Sequence, residues 1–122
     1  MLHAALHQVK PGMIRVDADT ACYPLHLIIR YELEQALFNN TIEVADLPSL
    51  WKQKMRMYLN VKVDSECNGV MQDVHWYAGL FGYFPAYALG LVLAAQLYNK
   101  MQKQLPDMNQ RLEQGDFSTI NA

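Results

Sequence analysis

The chain has 122 residues, enough for one modest domain. Ten basic and twelve acidic residues give a formal charge of −2, which excludes nucleic acid as the expected partner because such binding needs a basic face. Its two cysteines, Cys22 and Cys67, form neither a CxxC nor a disulfide framework, so a reducing, cytoplasmic setting is expected.

The first segment, "MLHAALHQVKPG", lacks the charged-then-apolar order of a signal peptide and ends in a turn signal. His3 and His7 have the i, i+4 spacing of a zinc-binding pair. Ala4 stands where a metallopeptidase needs the glutamate that activates metal-bound water. No third ligand is identifiable, so a solvent-exposed terminus is the plainer reading. Arg15, Asp17 and Asp19 follow in "IRVDAD", which on composition is a charged helix start.

From Leu25 the apolar positions Leu25, Ile28, Ile29, Leu33, Ala36 and Leu37 recur at helical spacing. Arg30, Glu32 and Glu34 lie mostly off that stripe. Pro24 suits a first turn, Asp19 or Thr20 an N-cap, and Asn39-Asn40 a stop. "EVADLPSLWKQKMRMYLN" predicts a second helix, capped by Asp46 with Pro48 in its first turn. Its stripe is Leu50, Trp51, Met55, Tyr58 and Leu59. Residues 60–70 read as a loop.

"QDVHW" follows. An acid two residues before a histidine can hold its ring and fix its tautomer, and a histidine so held can stabilise an oxyanion or orient a substrate. The alternative is a buried histidine satisfied by Asp73. In "FGYFPAY", Tyr83 and Tyr87 flank a proline; their phenols can donate to an oxyanion without changing charge, or simply pack. The stretch 74–99 carries no charged residue, and its length meets the first test for a membrane span of about 20 residues. Pro85, Gly79, Gly82 and Gly90 interrupt it, tyrosine hydroxyls enter its middle, and no basic cluster flanks it. A membrane is therefore not expected. An apolar helix that Pro85 starts needs partners on all sides, which points to a larger protein or a homo-oligomer. A short helix in "PDMNQRLEQGD" ends at Gly115. No segment alternates as a strand, and the expected fold is all-α, a single helical region over residues 1–122.

Two blocks carry a resemblance. "IRVDAD" (14–19) resembles Ile-Arg-x-x-Ala-Asp, and "GVMQDVHW" (69–76) resembles Gly-x-x-Gln-Asp-x-His-Trp, both motifs of the Taq-type (thermostable) zinc carboxypeptidases. The flanking "YPLHLIIRYELEQAL", "DLPSLW" and "GYFPAYALG…AAQLY" are similar too, so the likeness runs from about residue 8 to about residue 117. The family's members are several times longer. Their His-Glu-x-x-His motif and a further glutamate ligand lie upstream of the first block and are absent here. Thr20 also replaces the acidic residue that commonly follows Ala-Asp. The resemblance implies the C-terminal segment of a larger helical zinc-peptidase fold that removes C-terminal amino acids from peptides. Zinc, or cobalt, would be held by the complete enzyme and not by this chain, which would be inactive alone. It implies substrate-binding positions at Arg15, Asp19, Gln72 and Asp73, and catalytic contacts at His75, Tyr83 and Tyr87. The contrasting expectation is a non-catalytic helical interaction module that buries residues 89–97 in a dimer.

Overall fold

Among the described residues, helix-favouring periodicity becomes four α-helices: α1 (Tyr23–Phe38), α2 (Leu47–Leu59), α3 (Phe84–Gln104) and α4 (Met108–Glu113). Single 3-10 turns, Arg15–Asp17 and Val44–Asp46, precede α1 and α2. The computed structural model describes residues 8–118 and residue 120, and the His3/His7 pair lies outside them. No strand occurs among the described residues, so the fold is all-α. The chain divides into two compact units, Met1–Ala88 and Leu89–Ala122.

In the first unit, α1 and α2 share the core. α2 buries Leu47, Trp51, Met55 and Leu59, one residue per turn. These pack with Ile29 and Leu33 of α1 and with Cys22 and Val63. The helix ends follow local chemistry. Pro24 and Pro48 occupy first turns, where no intrahelical N–H is required. Asn40 and Asn60 stop α1 and α2 at φ 55° and 56°, in the left-handed region that asparagine tolerates. Asp19 does not cap α1 itself; its carboxylate accepts the Ala21 and Cys22 N–H groups of the turn in front. Asp46 likewise closes the 3-10 turn, accepting the Glu43 N–H, and makes no side-chain cap on α2.

The sequence expectation for α1 needs one correction. The apolar periodicity puts Arg30 and Glu34 mostly off the buried stripe, but both are buried, as is His26 one turn earlier. Ile28, placed on the stripe, is exposed. The inward face of α1 therefore runs through His26, Arg30, Leu33 and Glu34, carrying charge into the interior.

In the second unit, Met108 of α4 is buried, and Tyr98 donates from its hydroxyl to Asn109 Oδ1 at 3.0 Å. Arg111 pairs with Asp107 and Asp116, and Gly115 ends the helix at φ 76°. Residues 89–100 of α3 are all exposed, among them Leu89, Val92, Leu93 and Leu97. Among the described residues, no helix is long and apolar enough to cross a membrane.

Candidate functional site

The two sequence blocks meet through Asp73. Arg15 Nη2 donates to Asp73 Oδ1 at 2.8 Å and Arg15 Nε to the same oxygen at 3.1 Å. From the other side Arg30 Nε donates to Asp73 Oδ2 at 2.6 Å. Two guanidinium groups thus share one carboxylate. Gln72 completes the junction. Its Oε1 accepts the Arg15 N–H and Arg30 Nη2, each at 2.9 Å, and its Nε2 donates to the carbonyls of Met13 and Asn68. Every hydrogen-bonding position of the Gln72 amide is used. The side chains of Arg30, Trp51, Val70, Asp73, Trp76 and Phe84 close on one another without room for a water-sized sphere.

The electrostatics follow from burial and this pairing. Burial pulls the Arg30 pKa down to about 10, against the pull of Asp73. Burial pushes the Asp73 pKa up, but the hydrogen bond from Arg15 and the charge of Arg30 outweigh it, and the net shift is downward. Arg15 goes the other way from Arg30. Desolvation opposes its charge less than Asp73 supports it, and its pKa is raised.

His75 is buried at the end of this network. Its Nε2 lies 3.1 Å from the Tyr87 hydroxyl, and its Nδ1 has no partner among the described residues. Phe84 packs 4.5 Å from the imidazole, and Tyr83 lies 5.7 Å from it and 5.3 Å from Tyr87, centroid to centroid. Burial, aided by Arg15 and Arg30 and opposed by Asp73, lowers the His75 pKa, so the ring is neutral at neutral pH. A neutral imidazole must place its proton on one nitrogen. An orphaned buried N–H is rarer in folded proteins than an under-satisfied acceptor, which favours the tautomer with Nε2–H donating to Tyr87 and a bare Nδ1. The Tyr87 hydroxyl then keeps its own proton free to donate outward.

The expectation that Asp73 holds the His75 ring is overturned. Asp73 is committed to the two arginines, and Tyr87 is the residue bonded to the imidazole. The structure brings His75, Tyr83 and Tyr87 into one aromatic cluster, and Arg15, Gln72 and Asp73 into one ion-paired junction beside it. Arg15 also faces the Tyr87 ring at 5.2 Å and donates to the Tyr23 hydroxyl at 3.1 Å. Asp19 belongs to neither group. Its carboxylate accepts the Cys22, Lys10 and Ala21 N–H groups, which hold its pKa down at about 2.

Sequence reading missed Arg30 and Glu34. Glu34 Oε2 accepts the Trp76 indole N–H at 2.8 Å, and its Oε1 accepts the Gly82 N–H. The available signal was the i, i+4, i+8 run His26, Arg30 and Glu34 along the edge of the apolar stripe, which faces one side of a helix. Among the described residues, no three His, Cys, Asp or Glu side chains converge as a metal site.

Comparison with known proteins places these features. A family model described as "Carboxypeptidase Taq (M32) metallopeptidase" matches residues 1–122. Carboxypeptidase 1 of Bacillus subtilis (strain 168) is 53% identical over 116 residues, covering 95% of this chain and 23% of that protein. Thermostable carboxypeptidase 1 of Thermus thermophilus is 46% identical over 115 residues, covering 94% of this chain and 22% of that protein. The solved structure of Trypanosoma cruzi metallocarboxypeptidase 1 superposes with a TM-score of 0.91 at 40% identity, covering 98% of this chain and 25% of that one. The chain therefore spans less than a quarter of the length of these two curated relatives.

Proposed function

Because the chain belongs to the carboxypeptidase Taq (M32) family of metallopeptidases, we propose that it forms one wall of the substrate cleft of a metallocarboxypeptidase that removes C-terminal amino acids from peptides. The observation that carries this reading is the His75–Tyr87–Tyr83 cluster, in which His75 Nε2 lies 3.1 Å from the Tyr87 hydroxyl and the Tyr83 ring packs edge-to-face against that of Tyr87. Tyr83 is exposed and Tyr87 half-buried, so their hydroxyls are the groups that meet a peptide carbonyl oxygen as it gains negative charge. His75 orients Tyr87. Arg15, Gln72 and Asp73 act on the substrate side by fixing the floor of that wall, and Asp19 by holding the turn that delivers Arg15.

Zinc or cobalt belongs to the complete enzyme in this reading. The described residues do not fit such an ion, and their own contribution is to bind, orient and donate. The setting is cytoplasmic. The chain alone is inactive.

The test uses a blocked dipeptide with added zinc or cobalt. The isolated chain is expected to show no turnover. The same segment, exchanged for its counterpart in the 53%-identical Bacillus subtilis protein, is expected to leave a working peptidase. Chelator-sensitive turnover by the isolated chain overturns the inactivity claim, and a folded but dead hybrid overturns the cleft assignment.

A second reading, a helical module that self-associates, is favoured by one observation. Residues 89–100 are exposed along α3 although many are apolar. Sedimentation equilibrium of the chain is expected to give a dimer or larger species, and a monomer at all concentrations removes this reading.

A further inference from the structure

The geometry points to Arg30 and Glu34 as positioning residues for His75, holding the chain on both sides of the imidazole and so setting where its ring lies. The inference rests on the reading of His75 as a cleft residue.

The two charged residues sit one turn apart on the buried side of α1, 1% and 7% exposed. Neither can touch a peptide, so both act through other groups. Arg30 grips Asp73 and Gln72, which lie two and three residues before His75. Its guanidinium stacks 4.6 Å from the Trp51 ring centroid and 5.5 Å from that of Phe84, which fixes its own position. Glu34 grips Trp76, the residue after His75, and Gly82 six residues further on.

Between these grips the backbone is wound and cannot stretch. Ala78 N–H bonds to the Val74 carbonyl at 2.9 Å, and Leu80 N–H to the His75 carbonyl at 2.8 Å. Gly82 closes the winding at φ 73°, which favours glycine. The grip on Trp76 also reaches the imidazole through space. Trp76 meets Phe84 edge-to-face at 6.1 Å, and Phe84 packs against His75.

Burying a carboxylate is costly unless it is paired or well hydrogen-bonded. Glu34 enters no salt bridge among the described residues. Its two N–H donors are charge-assisted, and they tie two points of one loop to a single rigid helix. A neutral apolar residue would fill the same space without fixing either point.

The test follows the His75 ring nitrogens of the full 122-residue chain by long-range 1H–15N spectra during a pH titration. Glu34→Ala is expected to shift the Trp76 indole proton upfield, to lose the His75–Tyr87 contact and to raise the His75 titration midpoint toward the ordinary histidine value. Glu34→Gln keeps an acceptor oxygen and is expected to restore most of the wild-type spectrum. Trp76→Phe removes one donor and leaves the carboxylate in place, so an intermediate shift is expected. Glu32→Gln, on the same helix but facing Lys54 and Tyr58, is expected to leave His75 unmoved. An unchanged His75 titration in both Glu34→Ala and Trp76→Phe overturns the inference, and Trp76→Phe decides alone if Glu34→Ala does not fold. Failure of the underlying cleft reading is separable. It shows as normal peptide hydrolysis by a His75→Ala hybrid enzyme and leaves these spectra as expected.

Discussion

Asp73→Ala is expected to cost the chain about 3–5 kcal/mol, the loss found when one partner of a buried ion pair is removed. The cost comes from what stays behind. Arg30 is 1% exposed and has no other carboxylate within salt-bridge reach among the described residues, so its charge would be left buried and unpaired. Total stability of a domain is only about 5–15 kcal/mol, so the urea midpoint should fall by a large fraction of its value with little change in slope. An unchanged midpoint would mean that solvent reaches Arg30. Acid should reproduce the loss. The folded Asp73 pKa is depressed, so its stabilisation is present above the ordinary carboxylate range and disappears as pH falls through the depressed value. His26 adds to the same acid limb from higher pH. Burial, with Arg30 nearby, lowers its pKa from 6.5 to about 4. The folded chain therefore resists protonating it, and stability declines as pH drops across that interval. His26→Leu should flatten this upper part of the curve.

Tyr87→Phe in the hybrid enzyme is expected to reduce kcat by about 100- to 1,000-fold, the range for removing one donor from a developing oxyanion. KM should change little, because a donor that matters only as charge develops adds nothing to ground-state binding. The ring remains, so the edge-to-face contact with Tyr83 and the face offered to Arg15 survive. The His75 Nε2–H would lose its acceptor, which makes the defect larger than that of Tyr83→Phe, whose hydroxyl is not the one bonded to the imidazole. Equal kcat values for Tyr87→Phe and the parent hybrid would remove Tyr87 from the mechanism.

The second helix was legible because burial along it is periodic. Trp51, Met55 and Leu59 recur every four residues and are all buried, as the amphipathic pattern of α2 requires. The prolines and asparagines mark element ends through backbone constraints that need no tertiary knowledge. Arg30 and Glu34 were misread for the converse reason. An apolar-stripe argument assigns charge to water, and only a partner brought in from 42 or more residues away makes an interior charge tolerable. Asp73 shows the same limit. Its nearest histidine in sequence is His75, yet it pairs with arginines 43 and 58 residues distant. Local adjacency suggested a carboxylate–imidazole pair where long-range packing supplied a phenol. The aromatic cluster was easier to foresee, since Tyr83 and Tyr87 lie four apart around the start of α3 and share a face.

The supports of the site also carry its natural reporters. The chain has two tryptophans. Trp51 lies under the Arg30 guanidinium, and Trp76 is hydrogen-bonded to Glu34. Tryptophan fluorescence of this chain therefore does not average over the molecule. Its emission comes from the two points where α1 holds the histidine loop, so a ligand or substitution that loosens either hold alters the light emitted there, with no dye or added label.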